Sequence, residues 1–345
     1  MSVVRPRIKK IVPTAGIAGG EIRIDCEGFT GTRGGESQAL FGSTPGRMLS
    51  ASPKRIVTVV PEGIPSDELN LGISLRVDEF LSEPGYFRVG EKIAGELHPV
   101  ANPAINPDNG SIYVTLSGTR GQKVPISVYR IFPDGEVKPF VSDITNPTSM
   151  VFDSNGQLFV SSRFDGIVYK VSSMGESEAF AQNLGAATGL AFKKRGDLYV
   201  GDRNGVIYRI NGIGEAFPFT TMEASVAAYH LAYGPDDYLY VTGPTVHSYE
   251  PIYRINPLGD VQPWFFGFGR PQGLAFDTDG NLYVAASWRG HRGIFKITPH
   301  MEISMVIAGM SIVGLAIDFK GDAIVTTQSE VHRVPLGAKS LLLDR

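Results

Sequence analysis

Cysteine is almost absent: Cys26 is the single thiol in 345 residues. An internal disulfide is therefore excluded, and no Cys/His cluster has zinc spacing. With no base near it in the sequence, Cys26 reads as a small strand residue rather than a reactive thiolate. Charge is scarce as well. Charged residues make up 19% of the chain, and the formal net charge is −3. Such a balance offers nothing in bulk to nucleic acid or to an anionic membrane, and neither is expected as a partner. Long apolar runs are also missing. The most apolar stretch, Met305 to Ile317, is broken by Gly309 and Gly314 and is too short to span a bilayer. The segment Met1 to Lys10 carries charge but leads into no apolar run, so no signal peptide is read there and the cytoplasm is the expected compartment. No nucleophile elbow, phosphate loop or dinucleotide fingerprint is present.

Glycine and proline are plentiful, at 41 and 23 residues, and 42% of the chain is hydrophobic. Short Val/Ile/Tyr/Phe runs between Gly- and Pro-containing turns predict an all-β protein without substantial helix. Its 345 residues are enough for two domains.

From about residue 98 the chain repeats with a period of roughly 40 to 46 residues, the range of propellers and solenoids. Six segments align: Ser111-Ile-Tyr-Val, Gln157-Leu-Phe-Val, Asp197-Leu-Tyr-Val, Tyr238-Leu-Tyr-Val, Asn281-Leu-Tyr-Val and Asp322-Ala-Ile-Val. A second marker follows each: Tyr129-Arg-Ile, Tyr169-Lys-Val, Tyr208-Arg-Ile, Tyr253-Arg-Ile, Phe295-Lys-Ile and His332-Arg-Val. Each copy parses as four strands, with hairpin turns such as Asp153-Ser-Asn-Gly156 between the first two. One four-stranded blade leaves two apolar faces open. Stacking blades around an axis buries both, so a six-bladed β-propeller is predicted over residues 91–345. The repeated third-strand aromatic is expected to fill the gap between blades. Ring closure has two candidates for the last outer strand, Ser340–Leu343 and Lys92–Leu97. The reading favours Ser340–Leu343, which keeps each blade contiguous in sequence.

Residues 1–90 carry no internal copy and predict a β-sandwich. The opening Ile11-Val-Pro13 with Gly16 and Gly19-Gly20, the Gly28-Phe29 after a strand, Phe41-Gly42 and Pro61 to Gly63 make this segment resemble the IPT/TIG domain. That resemblance implies an immunoglobulin-like fold acting as a spacer or interaction module. The repeats, best seen in Pro271-Gln-Gly-Leu-Ala-Phe-Asp-Thr-Asp-Gly-Asn-Leu-Tyr-Val284, resemble NHL-repeat proteins and the senescence-marker-protein/gluconolactonase family.

The second resemblance implies a test. Gluconolactonase-like enzymes hold a divalent metal, usually calcium, on the propeller axis with acidic and amide side chains just before the inner-strand Gly-Leu. The corresponding residues here are Ala101, Thr148, Thr188, Tyr229, Gln272 and Val313, with Asn102 included if the first copy slips by one residue. None is a carboxylate, and a hard dication needs charged oxygens. No metal site and no cofactor are therefore predicted. Calcium enters only under the alternative of a lactone or ester hydrolase with an altered site, using His230, Gln272 and His291.

The loops that share the face of the inner-strand starts carry the candidate binding residues: Arg163, Asp202, Arg203, Tyr229, His230, His247, Gln272, Trp288 and Arg289. Guanidinium forks suit carboxylates and phosphates, and aromatic faces suit sugars or flat groups. The expected function is binding of a small polar or anionic molecule, or a protein segment, on this face without catalysis. His230 and His291 are candidate bases only if Asp202 or Glu250 orients them.

Overall fold

The computed structural model describes residues 5–30, 37–64, 70, 72–119, 121–194, 196–245 and 250–343. It is all-β, with four-stranded antiparallel blades in a propeller-like arrangement. The blade built from Pro147–Phe152, Leu158–Ser162, Ile167–Val171 and Ser177–Ala181 shows how sequence sets the unit. Its first turn is fixed by Asp153. The carboxylate accepts hydrogen bonds from the amides of Asn155 and Gln157, at 2.9 and 2.8 Å, and Gly156 takes φ of +77°.

Five sheets have this free-standing four-stranded form. The expectation of six such blades is met only that far. The strands Leu274–Phe276, Leu282–Trp288, His291–Ile297 and Ile303–Ala308 follow the same order, but they belong to a six-stranded sheet. Its two further strands, Ala15–Gly16 and Arg88–Val89, come from the first ninety residues and lie parallel. Close approach makes this graft work. Ile17 donates its amide to the Ala308 carbonyl at 2.9 Å, and a Cβ on Gly20 would lie 2.6 Å from that oxygen. The rest of the first segment forms a seven-stranded sheet, with Thr44–Ser52 pairing Arg55–Val59 on one side and Ser37–Phe41 on the other. Ile24, Phe41, Ile56 and Leu75 lie in its core, with Cys26 buried beside them. Burial pushes the Cys26 thiol up, away from thiolate character.

Ring closure corrects the sequence reading. The outer strand of the last blade is Glu91–Ala94, which pairs antiparallel with Val331–Val334. Lys92 also bridges Glu330 at 2.5 Å. Ser340 instead makes an isolated bridge to Asp277, and Leu341–Leu343 is a short 3-10 turn. The physical reason is apolar. Ala94 and Leu97 pack with Val331, Ile324, Ile105 and Ile112, sealing the last sheet against the first repeat.

The gaps are filled by more than the third-strand aromatics expected from the sequence. Of these, Phe295 is buried against Phe268 and Trp288, but most of the buried rings between sheets come from the second strand. Tyr113, Phe159, Tyr199 and Tyr240 are buried, each close to an outer-strand ring of its own blade and an inner-strand ring of the next. For Tyr240 these are Trp264 and Phe276, at 5.0 and 4.8 Å, both edge-on. The third-strand residues Tyr169, Tyr208 and Tyr253 stay half-buried.

Candidate functional site

Inner strands of successive sheets contact one another around the axis. Their starts are tied by a repeated hydroxyl clamp. Ser161 donates to the Thr188 carbonyl at 2.5 Å, Thr242 to the Gln272 carbonyl at 2.5 Å, and Thr326 to the Ala101 carbonyl at 3.1 Å. Each clamp runs from a second strand to the next inner strand. The third closes the ring and aligns Ala101 with Thr188 and Gln272.

These positions are where the gluconolactonase resemblance would place metal ligands, and the donor set does not suit a dication. Ala101 and Val313 offer no side-chain oxygen. The Thr188 hydroxyl donates to the Gly201 carbonyl at 2.7 Å and accepts the Tyr229 amide. The Tyr229 hydroxyl is directed to the Glu223 carbonyl. Oxygens so engaged and uncharged do not balance two positive charges. Among the described residues, no group of three or more His, Cys, Asp or Glu side chains could hold a metal ion.

One residue further along each inner strand, the chain carries Asn102, Ser149, Gly189, His230, Gly273 and Gly314. The glycines are required by close approach. A Cβ on Gly314 would lie 2.5 Å from the Ala101 carbonyl oxygen, and one on Gly273 would lie 2.2 Å from Asn102 Oδ1. Asn102 crosses this level, donating to the Leu274 carbonyl at 2.8 Å and accepting the Leu315 amide at 3.1 Å. His230 is buried at the same level, and desolvation holds its imidazole down at about 4. At neutral pH it is uncharged.

The remaining candidates sort by exposure. Asp202 is buried and structural: its Oδ1 accepts the amides of Ala186 and Asn204, at 2.8 and 3.1 Å. Glu250 is buried and accepts the Thr245 amide. No hydrogen bond joins either carboxylate to His230 among the described residues. Gln272 is half-buried, and its backbone N–H donates to the Ala285 carbonyl at 2.8 Å. His291 is half-buried and pairs with Trp288 across the end of a hairpin. Arg163 is half-buried, 3.5 Å from Ser117 Oγ and from the Gly118 carbonyl. His247 lies outside the described residues.

Arg203 and Arg289 are exposed, as is Arg270 between them in sequence. Arg203 holds its Nε on the Ser225 carbonyl at 3.2 Å. Arg289 stacks over Trp288, 4.4 Å from the ring centroid. None of these three guanidinium groups forms an ion pair among the described residues. All three lie between strands: Arg203 after Leu198–Asp202, Arg270 before Leu274–Phe276, and Arg289 between Leu282–Trp288 and His291–Ile297.

A feature the sequence reading missed lies at the other end of the axis. A cavity of about 1490 Å³ begins at Asn102 and Ser149 and opens among the first hairpins, at Asn106, Asn155 and Lys193. Its signal was in the repeat: the column Ala104, Val151, Ala191, Ala232, Ala275 and Ala316 is small in every copy, and all six line the cavity.

No protein-family model matches the chain, and no curated protein matches it by sequence. Solved structures do. An auxiliary nutrient binding protein from Bacteroides ovatus is 12% identical, with a TM-score of 0.56 over 96% of this chain and 98% of that one. A similarly described protein from Bacteroides thetaiotaomicron gives 12% and 0.55, over 96% and 98%. A gluconolactonase from Xanthomonas campestris gives 15% and 0.57, over 71% of this chain and 88% of that one. At such identities the likeness establishes the fold.

Proposed function

We propose that the chain is a non-catalytic binding protein. In this reading an immunoglobulin-like, IPT/TIG-related domain over residues 1–90 precedes an NHL-like six-bladed propeller over 91–345. The four strands from Leu274 to Ala308 count as the sixth blade. The ligand is a small anionic or polar molecule, or an acidic protein segment, held on the face of Arg203, Arg270 and Arg289. The supporting observation is that these exposed guanidinium groups have no carboxylate partner among the described residues, with the flat Trp288 ring under Arg289. The whole-length likeness to nutrient binding proteins supports the same reading.

Calorimetric titration with sugar acids, sugar phosphates and dicarboxylates tests it. An Arg203→Ala, Arg289→Ala double variant is expected to weaken capture at least tenfold while its melting temperature stays put. Capture that survives the double change would place the ligand elsewhere.

A second reading, a lactone or ester hydrolase, is favoured by the gluconolactonase likeness of the propeller. It would use His230, Gln272 and His291 in an altered site. Turnover on a lactone panel, with and without added calcium or zinc, that falls in a His230→Gln variant would establish it. No turnover would dismiss it.

A further inference from the structure

The axial cavity has an inner end at Asn102, a small-residue wall, an aromatic collar and a polar mouth. The inner end is Asn102, whose amide is hydrogen-bonded on both sides, with Ser149 at the same level of the next repeat. The wall is the alanine-rich column, and there the missing side-chain volume becomes open space. Next comes the collar: Phe152, Phe192, Tyr233 and Phe276, with Ile105 and Ile317 completing the level. Each of these rings has a ring neighbour. Phe152, Phe192 and Phe276 each hold an edge-on partner on the preceding repeat, 5.3, 5.2 and 4.8 Å away, and Tyr233 meets Tyr199 at a tilt. Phe276, Ile105 and Ile317 are buried, whereas Phe152, Phe192 and Tyr233 remain half-buried and present open surface. The mouth is polar and charged, with Asn106, Asn109, Asn155 and Asn211 on the lining beside Lys193 and Asp153.

The C-terminal segment runs along this mouth. Lys339 pairs with Asp279 at 2.8 Å, Thr278 donates its amide to the Lys339 carbonyl at 3.0 Å, and the Ser340 hydroxyl donates to the Ile317 carbonyl at 3.1 Å. These anchors set Leu341 and Leu342 on the cavity rim. Two leucines on an otherwise polar rim add apolar surface above the collar.

We infer that this cavity is a binding site for a planar aromatic small molecule bearing one polar substituent. The ring system enters between the packed aromatic side chains and reaches the alanine level. The polar group stays among the hairpin asparagines. A packed collar costs little side-chain entropy on binding, and ring-to-ring contact is favourable at the offset and edge-on geometries the collar already presents. The cavity lies at the opposite end of the axis from the arginine face, so this site is independent of the one proposed above.

Calorimetric titration of the full chain with 2-naphthoate tests the inference, with cyclohexanecarboxylate as the non-aromatic match. Saturable one-to-one binding of 2-naphthoate, at least tenfold tighter than the match, is expected. Ala232→Trp and Ala275→Trp fill the alanine level and should each weaken it at least tenfold, while Arg203→Ala with Arg289→Ala leaves it unchanged. Should the tryptophan variants fail to fold, a crystal of the unaltered protein grown with 2-naphthoate decides the matter through density between Phe192 and Phe276. Absence of saturable binding, density elsewhere, or loss of binding in the arginine variant would overturn the inference.

Discussion

The Thr326 hydroxyl donates to the Ala101 carbonyl at 3.1 Å, joining the last repeat to the first across 225 positions of chain. Both groups are buried. Replacing Thr326 by Val keeps the shape and removes the donor, leaving that carbonyl without its hydroxyl partner. The expected cost is about 1–3 kcal/mol. Urea denaturation measures it, and a change below about 0.5 kcal/mol, the scale of an ordinary surface substitution, would show that the clamp contributes nothing.

Gly314 faces the same seam. A Cβ there would meet the Ala101 carbonyl oxygen at 2.5 Å and the Asn102 Cα at 2.6 Å, both backbone atoms. Backbone cannot swing aside as a side chain can. Gly314→Ala is therefore expected to destabilise by about 1–3 kcal/mol, although alanine is otherwise the mildest replacement. A melting temperature equal to that of the unaltered protein would contradict the close packing.

Leu97 tests the latch. It is buried among residues of the first and last sheets, and its amide bonds to the Ser329 carbonyl at 3.2 Å. Leu97→Ala should cost about 2–5 kcal/mol. Leu341→Ala, at an exposed position of the C-terminal turn, should fall within about 0.5 kcal/mol. The reverse order of the two effects would restore the contiguous-blade arrangement.

His230 makes stability depend on pH. Its folded value of about 4 lies below the ordinary imidazole value of 6.5, because burial disfavours the cation. The unfolded chain therefore takes up a proton first as pH falls. Stability is fully present above pH 6.5 and is lost progressively toward pH 4, by about 3 kcal/mol in all. His230→Gln removes this titration. Denaturation at pH 7 and pH 4.5 should show a smaller acid loss in the variant, and equal losses would mean that His230 is solvated.

The roles of charged residues divide by where their partners come from. Asp202 was expected among the binding residues because the sequence reading put it in a loop with Arg203; it ends the strand Leu198–Asp202. Its Oδ1 instead holds the amides of Ala186 and Asn204. The Asn204 contact is local and could have been anticipated as an Asx turn. The Ala186 contact comes from the start of the neighbouring inner strand, and no local pattern announces it. Arg203 is exposed, because a long cationic side chain in a loop finds water unless a carboxylate is delivered to it.

Sequence alone was enough for the four-stranded unit and its hairpin turns. Each of these rests on contacts within a few residues, or on a pattern that recurs in every copy. Tertiary structure decided that Glu91–Ala94 and not Ser340–Leu343 completes the last blade, that Asn102 bridges inner strands and His230 is buried, and that the large cavity opens at the hairpin end. Those outcomes depend on which distant segment meets which. Both closing strands have the right local character, and only the apolar fit of Ala94 and Leu97 against Val331, Ile324 and Ile112 separates them.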